Sequence, residues 1–168
     1  MKDADRRKLL AGWLRGYGGL IHKVVRAYAF TPHDREDLHQ EIAFQLWESL
    51  ERFQGEAAVT TWIHRVSLYS AMAWSRRERR HDERAQFDEA VPSPSVAGTD
   101  PRLDWVYRRI AELGPVDRSL ILLSLEGLSY RDIGEVLGIS ERNVGVKLHR
   151  IRRRMADRAL SEVNEDEV

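Results

Sequence analysis

The sequence predicts an all-α protein made of two small helical domains joined by a flexible linker. Three observations carry this. Apolar residues recur at helical spacings along nearly the whole chain, and strand-like alternation is absent. Glycine and proline gather at the boundaries between periodic stretches. One stretch, 81–101, loses apolar periodicity and carries Pro92, Pro94, Gly98 and several serines, the composition of an exposed linker. The expected division is 1–80, the linker 81–101, a second domain 102–160, and an acidic tail 161–168. Each domain sits near the lower size limit for independent folding.

The elements follow in order. Residues 5–30 read as one or two helices, with Gly18-Gly19 as a break. Thr31-Pro32-His33-Asp34 is a helix stop followed by a start. Residues 35–53 form a long helix in which Leu38, Ile42, Leu46 and Leu50 recur at every fourth position. Gln54-Gly55-Glu56 is a turn. Residues 58–80 form the next helix, with Trp62, Val66 and Tyr69 on one side and a basic end from Arg76 to Arg80. Helicity resumes over 102–112, breaks at Leu113-Gly114-Pro115 and resumes over 116–126. The last eight residues, SEVNEDEV, read as a frayed acidic tail.

The most informative stretch runs from Leu128 to Met155. Ser129 with Asp132 three residues on is a capping-box pattern, in which a hydroxyl accepts from an orphan backbone N–H at a helix start. Ile133, Val136 and Leu137 give that short helix an apolar face. Gly138 ends it, since glycine enters the left-handed conformation without a Cβ penalty. Ser140 is the next N-cap. Val144, Leu148, Ile151 and Met155 then form one buried stripe. At about 100° per residue, the far side carries Arg142, Val146, His149, Arg150 and Arg153. Asn143, Lys147, Arg152 and Arg154 lie on the flanks. A basic amphipathic helix alone is usually a solvated surface. Here cap, glycine turn, second cap and basic helix arrive in the order of a helix-turn-helix, whose second helix enters the DNA major groove. Phosphate attraction would supply affinity and base edges specificity.

Charge is balanced overall, with 27 basic and 27 acidic residues, but it is distributed in blocks. Residues 140–160 carry a net +5, 31–60 a net −5, 1–30 a net +5 and the last eight −4. Basic blocks suit nucleic acid, and the acidic one suits a basic protein surface. The absence of cysteine excludes disulfides, cysteine-based zinc sites and a cysteine nucleophile, and fits a reducing compartment. No apolar run reaches the ~20 residues needed to span a bilayer, and no signal peptide is evident. The chain is therefore read as soluble and cytoplasmic, without membrane insertion.

Enzymatic chemistry finds little footing. His33, Asp34, Glu36, Asp37, His39 and Glu41 are potential metal ligands, yet no H-E-x-x-H pair is present and His39 and Glu41 do not share a helix face. Gly16-Tyr17-Gly18-Gly19 lacks the strand and the Gly-Lys-Ser/Thr ending of a phosphate loop. No nucleophile elbow surrounds any serine. The reading is therefore of a non-enzyme, with no cofactor and no metal.

The order of features resembles the extracytoplasmic-function sigma factors of bacterial RNA polymerase. Asp37-Leu38-His39-Gln40-Glu41-Ile42 with Trp47 is similar to the family's D-L-x-Q-E helix. Phe53-Gln54-Gly55-Glu56-Ala57 through Thr61-Trp62-Ile63 is similar to its F-x-G-E-A…T-W segment. Leu113-Gly114-Pro115…Arg118, Glu126-Gly127-Leu128-Ser129-Tyr130 and Gly138-Ile139-Ser140 resemble its fourth region. Each motif alone is weak; their colinearity is specific. The family comprises two helical domains, termed region 2 and region 4, so the resemblance extends to nearly the whole chain.

The resemblance implies roles. Asp37, Gln40, Glu41 and Trp47 would bind core polymerase at the β′ clamp helices, with region 4 on the β flap. Arg65, Tyr69, Trp74, Arg76 and Arg77 would handle the −10 promoter element. Arg142, Asn143, Val146, Lys147, His149, Arg150 and Arg153 would read the −35 element. An anti-sigma factor is implied as a further partner. From the residues themselves, Trp47 and Tyr69 fit a core role as well as a binding one, and Trp62 reads as core. The family often has asparagine where Tyr69 stands, and a basic residue then serine where Gly145 and Val146 stand.

Three other readings use the same residues. A free-standing helix-turn-helix regulator would account for the second domain but not for the D-L-x-Q-E helix or the G-E-A…T-W segment. An adaptor that mimics a sigma factor would have little use for the arginines of 140–155. A metal-dependent hydrolase is the most distant.

Overall fold

The computed structural model describes residues 3–84 and 100–166. They form helices α1 (Asp3–Gly16), α2 (Gly18–Tyr28), α3 (Pro32–Ser49), α4 (Val59–Arg84), α5 (Pro101–Ala111), α6 (Pro115–Leu125), α7 (Tyr130–Leu137) and α8 (Glu141–Asp166), with a 3-10 turn at Leu50–Arg52. No strand occurs among the described residues, so the all-α prediction holds. No helix among them is long and apolar enough to cross a membrane. The chain divides into two compact units, Met1–Ala111 and Glu112–Val168.

In the first unit, α3 begins where the sequence places a stop and a start. The Thr31 hydroxyl accepts from the Asp34 N–H at 3.1 Å, and Pro32 occupies the first turn, where its missing N–H costs nothing. The four-residue repeat of this helix is its buried edge. Leu38, Ile42 and Leu46 are fully buried where α3 meets α2 and α4. Full burial of such a side chain contributes about 1.5–3 kcal/mol. Ile21, Ala27 and Tyr28 from α2 and Ile63, Leu68 and Ala71 from α4 complete this core. The loop after α3 is pinned by an aromatic cluster: Phe53 lies 5.2 Å from Trp13, edge to face, and 5.5 Å from Trp62. Trp62 thus packs, as read.

Helix α5 shows the largest difference from the expected organisation. The sequence division places 102–112 in the second domain, whereas α5 packs on α2 within the first unit. Two features of α5 account for it: Tyr107 and Ile110 are buried, and Asp104 meets a buried cation. Arg26 of α2 is only 5% exposed, pairs with Asp104 and lies 4.3 Å from the Tyr107 ring centroid. Arg35 stands near enough for its charge to feel both groups. Burial first, and then the Arg26 guanidinium, hold it below the ordinary arginine value, with Asp104 opposing. The acid of α5 therefore compensates two cations of the first unit. No alternating pattern in the sequence encodes such a pairing across 78 positions.

Smaller differences lie at helix ends. α4 continues to Arg84, beyond the expected end at 80. α8 continues through Asp166, so most of the segment 161–168 is helical rather than a frayed tail. Nothing there stops a helix: neither Gly nor Pro is present, and Ser161 Oγ donates to the Asp157 carbonyl at 3.0 Å. Of the linker expected over 81–101, residues 85–99 lie outside the described residues.

Removing the Asp104 carboxylate leaves Arg26 beside Arg35 with their compensating acid gone. Asp104→Ala is expected to destabilise the first unit by about 3 kcal/mol, the low end for breaking a buried pair. Urea unfolding of the full chain measures it, with Asp37→Ala as a surface control expected to stay within about 0.5 kcal/mol.

Candidate nucleic-acid interface

The second unit is built from local rules. Ser129 Oγ accepts from the Asp132 N–H at 3.1 Å and donates to the Asp132 carboxylate at 2.7 Å, closing the start of α7. Gly138 ends that helix in the left-handed region, at φ 68° and ψ 32°. Gly134 is required by close approach, since a Cβ there would stand 2.6 Å from the Ile139 carbonyl oxygen. The Ile139 N–H donates to the Gly134 carbonyl at 3.1 Å, so the two backbones are held together at the turn. Ser140 Oγ then accepts from the Asn143 N–H at 3.2 Å and opens α8.

Helix α8 buries Val144, Leu148 and Ile151, and turns Arg142, Val146, His149, Arg150 and Arg153 outward. Asn143 and Lys147 are exposed beside them. The arginines of this helix divide into two sets. Arg152 donates to Ser124 Oγ at 2.6 Å and to the Tyr130 hydroxyl at 3.3 Å. Arg154 pairs with Asp117 at 2.5 Å, and Arg158 pairs with Glu112. These three brace α8 within the unit. Arg142, Arg150 and Arg153 make no ion pair among the described residues and remain available to an external anion. An open concavity of about 550 Å³ beside them is lined by Asp117, Lys147, Arg150, Arg153, Arg154 and Asp157. The side chains predicted to read the −35 element thus lie together on one exposed face of α8.

In the first unit, Asp37 and Gln40 are exposed on α3 and Glu41 is half-buried. Trp47 is half-buried, with the Arg6 guanidinium 4.5 Å from its ring centroid. Arg6 also donates to the Trp47 carbonyl at 3.3 Å and to Glu51 at 2.7 Å. α1 therefore covers part of the aromatic surface that the sequence offers as an anchor. The aromatic that is exposed on α3 is Phe44, at 56%. Sequence reasoning passed over it, though a signal exists: Phe44 lies two residues from Ile42, about 200° around the helix from the buried stripe.

The residues assigned to the −10 element fall into two groups. Arg65, Tyr69 and Arg77 line one groove of about 360 Å³, which also includes Glu41, Gln45 and Ser49 from α3. Gln45 Nε2 donates to Glu41 at 3.1 Å, and Arg77 approaches Glu41 at 3.9 Å. Tyr69 is 46% exposed there, at the surface rather than in the core. Half-buried Trp74 and exposed Arg76 do not line this groove. The groove thus joins Glu41, read as a polymerase contact, to side chains read as DNA contacts.

A helical unit with an acidic, aromatic outer helix and a second unit with a helix-turn-helix define a DNA-binding protein of the sigma type. Comparison with known proteins agrees. The Sigma-70 region 2 family matches residues 13–81, and the Sigma-70, region 4 family matches 103–155. The chain is 32% identical to the ECF RNA polymerase sigma factor SigF of Caulobacter vibrioides, over 94% of this chain and 97% of that protein. It is 26% identical to SigE of Mycolicibacterium smegmatis over 86% of this chain, and spans 59% of that protein's length. The fold is similar to that of RpoE from Bartonella quintana, solved with the anti-sigma factor NepR, at a TM-score of 0.71 and 18% identity, covering 89% of this chain and 96% of that one. It is also similar to CnrH, solved with the cytosolic domain of CnrY, at a TM-score of 0.64 and 17% identity, covering 94% and 90%. The chain belongs to the extracytoplasmic-function sigma factors.

The turn that aims α8 depends on Gly134. Gly134→Ala is expected to lower stability by about 1–3 kcal/mol through the clash with the Ile139 carbonyl. Arg150→Ala, on the solvated face, is expected to stay within about 0.5 kcal/mol. Thermal melting followed by circular dichroism separates the two.

Proposed function

We propose that this chain is a promoter-specificity subunit that loads core RNA polymerase onto promoters. It acts by binding and positioning in the cytoplasm, and catalyses no reaction itself. The single observation that carries the reading is that one chain presents an acidic, aromatic face on α3 and, on α8, a basic face that makes no ion pair among the described residues. The first suits a basic protein surface and the second a nucleic acid.

In this reading the outer face of α3 docks on the β′ clamp helices, with Asp37, Gln40 and Glu41 as polar contacts and Phe44 beside Trp47 as the apolar anchor. Arg65, Tyr69 and Arg77 take the −10 element at the α3–α4 groove. An unstacked base needs a flat partner and a cation for its phosphate, and the groove holds both kinds of side chain. Trp74 and Arg76 would extend this contact along α4. The second domain, 102–160, reads the −35 element through Arg142, Asn143, Val146, Lys147, His149, Arg150 and Arg153, and meets the β flap. The division into 1–80, a linker 81–101 and a second domain from 102 describes these roles. α5 belongs to the second by family match and to the first by packing. An anti-sigma partner is part of the proposal, supported by the complex of the similar RpoE with NepR.

The test is to mix the purified chain with sigma-free core polymerase and fragmented genomic DNA, and to sequence the run-off transcripts. Discrete starts sharing two upstream elements are expected. A folded protein that neither binds core nor creates new starts would instead be a free-standing regulator. Arg150→Ala should cut promoter-directed transcription about tenfold while leaving core binding unchanged. Phe44→Ala or Gln40→Ala should weaken core binding about tenfold, read by competition for core. Trp47→Ala should weaken it too but also lower stability, because Arg6 packs on that ring. If none of the three α3 changes affects core binding, the docking face lies elsewhere.

A further inference from the structure

Tyr130, the first residue of α7, lies across the flank of α8. A Cβ built on Gly145 would stand 3.4 Å from Tyr130 Cε2 and 3.5 Å from Cδ2. The ring therefore occupies the space into which a longer side chain at 145 would extend. Its hydroxyl accepts from Arg152 Nη1 at 3.3 Å, and Arg152 Nη2 donates to Ser124 Oγ at 2.6 Å. Residues 145 and 152 are seven apart, so they lie within about 20° of one another on α8. One aromatic ring thus rests on a gap in the helix while the next side chain along the same line holds its hydroxyl. The arrangement links the end of α6, the start of α7 and the middle of α8 on one side. On the opposite flank Arg154 holds Asp117 of α6. Between the two braces lies the exposed face of Arg142, Val146, His149, Arg150 and Arg153.

We propose that Tyr130 is a positioning residue for −35 recognition: its ring seated on Gly145, with Arg152 on its hydroxyl, sets the orientation at which α8 presents its reading face. Gly145 is the seat for that ring, which removes position 145 from the reading surface. This rests on the −35 reading proposed above. Alanine at 145 fits, because its Cβ meets the ring at ordinary contact distance. A lysine chain that extends from that Cβ toward Tyr130 meets the ring and has to displace it.

The test uses the full chain assembled with core polymerase, on a promoter identified by run-off sequencing and on templates carrying each single-base change in its −35 element. Core binding and thermal melting are followed in parallel. Gly145→Lys should reduce −35-dependent transcription about tenfold, and combining it with Tyr130→Ala should recover most of that loss, because the lysine gains room. Gly145→Ala should leave the ranking of −35 substitutions as in the wild type and raise the melting temperature, alanine being the better helix former. Tyr130→Phe keeps the ring but loses the Arg152 contact. It should alter the ranking of −35 substitutions while core binding and melting stay unchanged, a pattern that a purely structural role does not produce.

Additive effects of Gly145→Lys and Tyr130→Ala would overturn the proposal. So would a Tyr130→Phe ranking identical to the wild type, or a Gly145→Ala effect as large as that of lysine. If Gly145→Lys fails to fold, the Tyr130→Phe and Gly145→Ala rankings decide. A wild-type holoenzyme indifferent to every −35 base would overturn the −35 reading and the role of Tyr130 with it. Dependence in the wild type with unaltered variants overturns the role alone.

Discussion

Burial of one aliphatic stripe on a helix whose other side must stay charged is the constraint from which both units follow. In the first, Leu38, Ile42 and Leu46 of α3 are fully buried, and the residues between them have no choice but to face outward. That is why Asp37, Gln40 and Phe44 form one accessible face, and why Glu41, on its margin, reaches the groove that α4 completes. In the second, Val144, Leu148 and Ile151 of α8 do the same for Arg142, Arg150 and Arg153. In each unit the core does not merely stabilise the site. It fixes which side chains remain to make one.

Cations in this molecule are sorted by partner rather than by number. Arg26 is buried against an acid and a phenol ring, Arg6 lies on an indole, and Arg152, Arg154 and Arg158 hold neighbouring elements of the second unit. Arginine suits these posts because its planar guanidinium stacks and makes several directed hydrogen bonds at once. Within α8, the arginines that make no ion pair among the described residues, Arg142, Arg150 and Arg153, lie on its outer face. A count of basic residues over 140–160 therefore overstates the charge offered to DNA.

Much of this was legible in the chain, and the legible parts share a cause. Ser129, Gly138 and Ser140 could be assigned caps and a turn because those roles depend on neighbours within four residues. The stripes of α3 and α8 could be read because their period is that of the helix itself. Helix ends were less so: α4 and α8 run past their expected limits because no residue there opposes continuation. The unread parts are those set by distant partners. Nothing near Trp47 in sequence shows that Arg6 will cover it, and nothing near Gly145 shows that Tyr130 will rest there. Phe44 is a different case, since its angle from the stripe was available and its exposure follows from it.

The pairing of Arg26 with Asp104 also has a consequence in time. The two residues are 78 positions apart, and α2, α3 and α4 all precede the acid. At translation rates of about 5–20 residues per second, Arg26 is made roughly 4–16 seconds before Asp104. Once α4 has emerged, and until α5 follows, the nascent chain carries Arg26 and Arg35 without their compensating acid and lacks the buried Tyr107 and Ile110. The first unit is thus finished by a helix that the family match assigns to the next region, and its last step of folding waits on the ribosome.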